Sequence, residues 1–326
     1  MTRAFVAGGA GFIGSHLVEA LLRRRDTEVI VYDNLTSGTV SHLTSVAEHA
    51  RLRLIVGDIE EFDDLTAAMQ GCEHVFLLAS NPDIARAITD PGVDFWHGTY
   101  LTHNVLEAMR VNGVSRITYT SGSGVYGDQG DTEVDEEFGP LIPISTYGAS
   151  KLASEGMIAA YAHMFDVDAV VLRLANVVGP RQTHGITYDF VRRLRADPSR
   201  LQILGDGSQS KSYIHVEDVV AAMMLLAEQE SRGFEIFNAG TGDYITVSEI
   251  ADLVVERMGL ERQYSYAGGD RGWKGDVPIV RLDSSKLVAR GWRCGYGSRE
   301  AIIASIDANI AEAASSEAEA PEQLGR

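Results

Sequence analysis

The chain has 326 residues, enough for one large α/β domain or two closely packed ones around a substantial core. Its formal charge is −18, from 28 basic and 46 acidic side chains, which argues against general binding to nucleic acid or anionic membranes. Two cysteines, Cys72 and Cys294, are too few for a disulfide framework and lack metal-ligand spacing, so no metal is expected.

Met1 runs straight into an apolar strand at 4–8, without the regions of a signal peptide, and no apolar run nears the ~20 residues that cross a bilayer. A cytoplasmic protein is the expectation. Further strands are predicted at 28–33, 52–58, 74–80 and 116–121, as apolar runs without polar alternation, the pattern of strands covered on both faces. Between them, "SHLVEALLRRR", "FDDLTAAMQ" and "YLTHNVLEAMRVNG" carry apolar residues at helical spacing. Alternation of this kind predicts an α/β fold, a Rossmann doubly wound parallel sheet.

A long helix is predicted over 145–165, capped by Ser145 or Thr146, then a sixth strand over 169–180 ending at Pro180. Shorter pieces follow. They are a helix over 187–196, a strand over 201–205, a strand-to-helix unit over 212–229, a strand over 234–240 and a helix over 246–259. The stretch 266–278 is irregular and Gly-rich, and 283–292 and 298–314 read as closing helices. The expected organisation is a dinucleotide-binding Rossmann domain over 1–175, with 212–240 packing back on it. A smaller C-terminal α/β substrate lobe spans 176–211 and 241–312, and the acidic segment 313–326 reads as a disordered tail.

"GGAGFIG" places Gly8, Gly11 and Gly14 between the first strand and the helix that Phe12 and Ile13 open. That context suits a pyrophosphate at a helix N-terminus: one glycine for the turn, one for close backbone approach, one for helix–strand packing. Asp33, at the end of the second strand, can accept from both ribose hydroxyls and repels a 2′-phosphate, so NAD is the predicted cofactor. Asp58 is placed for the adenine amino group. Asn34, Ile59, Leu78 and Ala79 at neighbouring strand ends complete the expected cofactor contacts, together with Tyr147 and Lys151.

Tyr147 and Lys151 are four apart and share a helix face. A Lys ammonium and a nicotinium both favour phenolate, which makes Tyr147 a candidate general base for a sugar or alcohol hydroxyl.

The motifs "GGAGFIGSHLVEALL", "VYDNL", "GDIEE", "VYGD", "YGASKLASE", "RLANVVGPRQ", "SYIHVEDVVAA" and "FNAGTG" together resemble the extended short-chain dehydrogenase/reductases. More narrowly, they resemble the NAD-dependent nucleotide-sugar epimerases of the UDP-glucose 4-epimerase type. The resemblance covers about residues 2–310. It implies C4 oxidation of a UDP-hexose by NAD with Tyr147 as base, rotation of the 4-keto sugar, and return of hydride to its other face. It also implies a homodimer formed by helices around 95–110 and 145–165.

For the UDP-sugar it implies Asn176 at the sugar diphosphate, Phe190 beside the base, Lys211 and Arg271 or Lys274 as cations, and Asp276 at a ribose hydroxyl. Arg181 is expected near the sugar C6, where it would favour a UDP-uronic acid. His215 reads as structural. Two positions depart from the family pattern: Gly122 stands where a Ser or Thr hydroxyl is usual, and Gly98 where an Asn is usual. Ser123, which with Ser121 flanks Gly122, is the expected substitute hydroxyl, and the alternative is that the two glycines give extra room for a bulkier or substituted sugar. The residues after Gly122, Ser123 and Gly124, lack the acid and base of a 4,6-dehydratase. A protein that only holds NAD, as a sensor or scaffold, is the rival reading.

Overall fold

The computed structural model describes residues 2–81, 83–229, 233–261 and 263–319. Strands β1 (Thr2–Ala7), β2 (Thr27–Asp33), β3 (Leu52–Val56), β4 (His74–Leu77), β5 (Arg116–Gly122) and β6 (Asp168–Leu174) form the predicted sheet. Beyond them, β7 (Asn176–Val178), β8 (Leu201–Ile203), β9 (Ser210–Lys211) and β10 (Tyr213–His215) are short, and β11 (Phe234–Ala239) rejoins the sheet. The seven-stranded order is β11-β6-β5-β4-β1-β2-β3, all parallel.

Alternate residues of β1 enter different layers. Ala4 and Val6 pack with Leu17 and Val18 of α1 (Phe12–Arg23), whereas Phe5 and Ala7 pack with Leu65 of α2 (Phe62–Ala68) and Val105 of α3 (Leu101–Asn112). Helix α4 (Thr146–Phe165) joins the second layer through Ile158. A helix–sheet–helix sandwich with both faces buried explains the unbroken apolar runs.

The smaller lobe gathers around α5 (Ile186–Ala196), α7 (Val247–Arg257) and α9 (Ser298–Glu319), with Phe190, Val254 and Ile306 in one apolar cluster. Helix α6 (Val216–Glu228) instead packs on α1, and β11 lies beside β6 in the main sheet. Helix α8 (Ser285–Ala289) lies against β11. Among the described residues, no helix is long and apolar enough to cross a membrane.

Two expectations are corrected. The strand predicted over 169–180 is broken at Ala175: β6 stays in the main sheet, and β7 turns away to pair with β10. Ala175 N still donates to Ala239 O, but Asn176 N donates to Ser212 O at 3.3 Å, so the chain changes sheets in one residue. The tail predicted disordered from residue 313 continues α9 to Glu319, since Ala and Glu are strong helix formers and nothing interrupts them before Pro321. Residues 320–326 lie outside the described residues.

Candidate active site

The chain winds from β1 outward through β2 and β3, then crosses back to β4 on the other side of β1. The reversal opens a crevice at the strands' carboxyl ends, the place where such sheets hold ligands. Here it is a cleft of about 660 Å³, lined by every expected cofactor residue from Gly8 to Lys151.

The loop after β1 is built for close approach. Gly8 has φ +82°, and a Cβ there would lie 2.7 Å from Ala79 N; a Cβ on Gly14 would lie 2.2 Å from Gly8 O. The N-cap of α1 is Gly11, with no side-chain cap and no acidic residue in the first turn. The uncapped N–H groups beside Phe12 and Ile13 are therefore free for an anion. Asp33 is buried, with Oδ2 accepting from Ala10 N and Oδ1 from Leu35 N, both at 2.9 Å. Each oxygen keeps a lone pair for a ribose hydroxyl. Asn34 Nδ2 donates to Asp58 Oδ2 at 2.9 Å. Asp58 Oδ1 accepts from Glu60 N, so Asp58 shapes a turn, and the α2 N-cap is Glu61. Open N–H groups, a glycine cradle and the Asp33 carboxylate fit the pyrophosphate and ribose of NAD.

Helix α4 begins at the N-cap Ser145, whose Oγ accepts from Gly148 N at 3.1 Å, and this turn sets Tyr147 on the cleft wall. Lys151 is buried one turn later. Its Nζ donates to Thr120 O at 2.8 Å and sits 5.6 Å from the Tyr147 ring centroid. Burial pulls the Lys151 ammonium down to about 8, against the raising charges of Glu155 and Asp94.

The expectation of a ready phenolate needs correction for the chain by itself. Burial and the nearby Asp94 carboxylate push Tyr147 up to about 12, while the neighbouring Ser80 hydroxyl pulls the other way. The Lys151 ammonium is turned to a backbone carbonyl, and the protein alone holds a neutral phenol.

The other expected residues divide. Ser123, Asn176, Phe190, Lys211 and Asp276 line the cleft, whereas Arg271 and Lys274 do not. Lys274 is exposed, and Arg271 donates to Asp128 Oδ2 at 2.6 Å and to Asp276 O at 2.8 Å. Lys211 Nζ meets Asp276 Oδ1 at 2.6 Å, so two residues expected to hold different parts of a nucleotide hold each other. Arg181 is paired with Glu19 of α1 and is not among the residues that line the cleft. His215 caps α6 and stacks on Tyr296, as a structural residue does.

The two departing glycines differ. A Cβ on Gly98 would lie 2.2 Å from Ser150 Oγ, so that space is filled and adds no room. At Gly122 the nearest atom is Leu174 O at 4.0 Å, and the space is open. Ser121 Oγ is buried and donates to Glu155 Oε1 at 2.5 Å.

Several lining residues escaped the sequence reading: Ser80, Asn81, Gln182, His184, Asp189, Arg193 and Trp273. Ser80 and Asn81 follow a strand's carboxyl end, which is a usable signal. Arg193 faces the cleft from a helix whose pattern showed only amphipathicity.

Comparison with known proteins agrees with this geometry. Residues 4–240 match the model of the NAD dependent epimerase/dehydratase family. The chain is 31% identical to the UDP-glucose 4-epimerase of Mycolicibacterium smegmatis, over 94% of this chain and 97% of that protein. It is similar to a crystal structure of a UDP-galactose 4-epimerase, with 37% identity, a TM-score of 0.84, and 96% and 99% of the two chains covered. It is also similar to MoeE5 in complex with UDP-glucuronic acid and NAD, with 30% identity, a TM-score of 0.84, and 95% and 99% covered. Fold, glycine cradle and this similarity agree: the chain belongs to the NAD dependent epimerase/dehydratase family, and its cofactor is NAD.

Proposed function

We propose that the chain inverts C4 of a UDP-hexose of the UDP-glucose/UDP-galactose kind through a 4-keto intermediate. The observation that carries this reading is the placement of Tyr147 and Lys151 on the wall of the cleft that the Gly8–Gly14 loop opens. Neither residue is needed to hold NAD alone, which weighs against a sensor or scaffold.

Bound NAD supplies the hydride acceptor and donor. Tyr147 takes the proton of the sugar O4 hydroxyl during oxidation and returns it during reduction. Lys151 supplies positive charge beneath the phenol, and the nicotinium supplies the remainder needed to ionise it. The open space at Gly122 gives the hexose room to turn, and Asn176 and Arg193, which line the cleft, are the groups we assign to the nucleotide handle. A uronic acid loses its expected partner, because Arg181 is committed to Glu19, and this favours a neutral hexose.

We also read the chain as a homodimer, with exposed Phe95, Trp96, Val111, Met164 and Phe165 on or beside α3 and α4 as its apolar contact. Tyr147→Phe is expected to retain NAD and lose C4 inversion by at least about 10²-fold. Undiminished turnover in that variant removes Tyr147 from the chemistry.

A further inference from the structure

Gly122 ends β5 and lines the cleft two residues after Thr120, whose carbonyl oxygen accepts from Lys151 Nζ at 2.8 Å. It therefore stands near the Lys151 ammonium, itself 5.6 Å from the centre of the Tyr147 ring. Nothing in the fold demands a glycine there. Its backbone is extended, with φ −151° and ψ 162°, a conformation open to any residue. Apart from its chain neighbours, no atom lies closer than 4.0 Å to the place a Cβ would take. Other glycines around it are forced. A Cβ on Gly127, at φ +72°, would lie 2.0 Å from Ile142 O, and one on Gly148 would lie 2.5 Å from Gly124 O.

Ser121 does not fill the space. Successive strand residues point to opposite faces, and Ser121 is buried with its Oγ donating to Glu155 Oε1. The boundary that remains is polar and uncharged. Leu174 O, the atom at 4.0 Å, belongs to a cleft-lining residue, and Ser123 adds a hydroxyl to the same wall. A space that neither backbone nor packing explains is room for the ligand. An ammonium there would meet the Lys151 charge, and a carboxylate would meet a carbonyl oxygen, so a charged substituent is disfavoured. A neutral amide suits both walls, since its N–H can donate to Leu174 O and its carbonyl can accept from the Ser123 hydroxyl.

We propose that Gly122 is a specificity-determining residue, and that the room left by its missing side chain admits UDP-hexoses carrying an acetamido group. As the 4-keto ring turns over, its substituents sweep past the wall that Gly122 leaves bare, and a side chain there obstructs the larger substituent first. This rests on the reading of the cleft as a UDP-hexose site.

The test compares UDP-N-acetylglucosamine with UDP-glucose on the NAD-loaded protein, in C4 inversion and in calorimetric binding. The variants are Gly122→Ala, which fills the space with a methyl group, and Gly122→Ser, which fills it and adds a hydroxyl. Each result is a ratio of two sugars on one protein, so a change in the folded fraction cancels. The wild-type chain is expected to bind and invert both sugars. The kcat/KM ratio of the acetamido sugar to UDP-glucose is expected to fall about 10- to 100-fold in both variants, the range for one added group in a closed pocket. The ratio of affinities is expected to fall with it. An unchanged ratio in Gly122→Ala, a fall confined to Gly122→Ser, or a wild-type chain that binds UDP-glucose but not the acetamido sugar overturns the assignment. If the wild-type chain inverts neither sugar while the affinity ratios fall as stated, the proposed reaction fails and the role of Gly122 stands.

Discussion

Replacing Glu155 disturbs both the stability of the chain and the charge on Lys151. Glu155 and Arg173 form a buried ion pair under the active-site loop, each side chain 3% exposed, with Arg173 Nη2 at 2.7 Å from Glu155 Oε2. Arg173 Nε also donates to both carboxylate oxygens, at 3.1 and 3.2 Å, and its Nη1 donates to Tyr126 Oη at 2.9 Å. In Glu155→Ala the guanidinium keeps only the Tyr126 contact, and Ser121 loses its acceptor. An uncompensated buried charge of this kind costs about 3–5 kcal/mol. Urea unfolding of the NAD-loaded protein, followed by far-UV circular dichroism, is expected to show that loss. The double variant Glu155→Met/Arg173→Met is expected to recover much of it, since no charge is then left unpaired.

The same substitution acts on Lys151. Burial draws that ammonium down to about 8, and the Glu155 carboxylate is the larger of the two charges opposing burial. Without it the Lys151 pKa falls further, so the ammonium is lost at lower pH. The alkaline limb of activity moves toward neutrality. A single-variant loss under about 1 kcal/mol, or an alkaline limb that moves upward, refutes this account of the pair.

Asp33→Asn removes the charge that meets the adenosine ribose, and the NAD-over-NADP affinity ratio is expected to fall about 10- to 100-fold in equilibrium binding. An unchanged ratio would show that Asp33 only shapes its turn through Ala10 N and Leu35 N. The homodimer reading predicts twice the chain mass in analytical ultracentrifugation. Trp96→Glu is expected to shift that mass toward one chain, and a wild-type protein that sediments as a monomer at every concentration contradicts it.

The cofactor half was legible because its parts are local. A strand, a glycine turn, a helix and a carboxylate at the next strand end each leave their mark within a few residues, and the sheet order then brings Gly8, Asp33 and Ala79 together. Tyr147 and Lys151 were legible for the same reason. What tertiary pairing decides was not. Arg181, Arg271 and Lys211 are cations that a sequence offers to any anion, but the fold has already given them Glu19, Asp128 and Asp276. Gly98 read as vacant space because nothing in its own stretch says that Ser150 fills it. Asn81 and Thr146 both grip Asp94, and the meeting of these three separate segments depends on how the cleft closes around that carboxylate.

The most direct test of the proposed reaction is ¹H NMR of the NAD-loaded enzyme with UDP-galactose, UDP-glucose and UDP-glucuronic acid in turn. The account predicts interconversion of UDP-galactose and UDP-glucose at C4, approached from either side, with slower or absent change in the uronic acid. Inversion of the uronic acid alone contradicts the hexose assignment, and no change at C4 in any of the three contradicts the reaction itself.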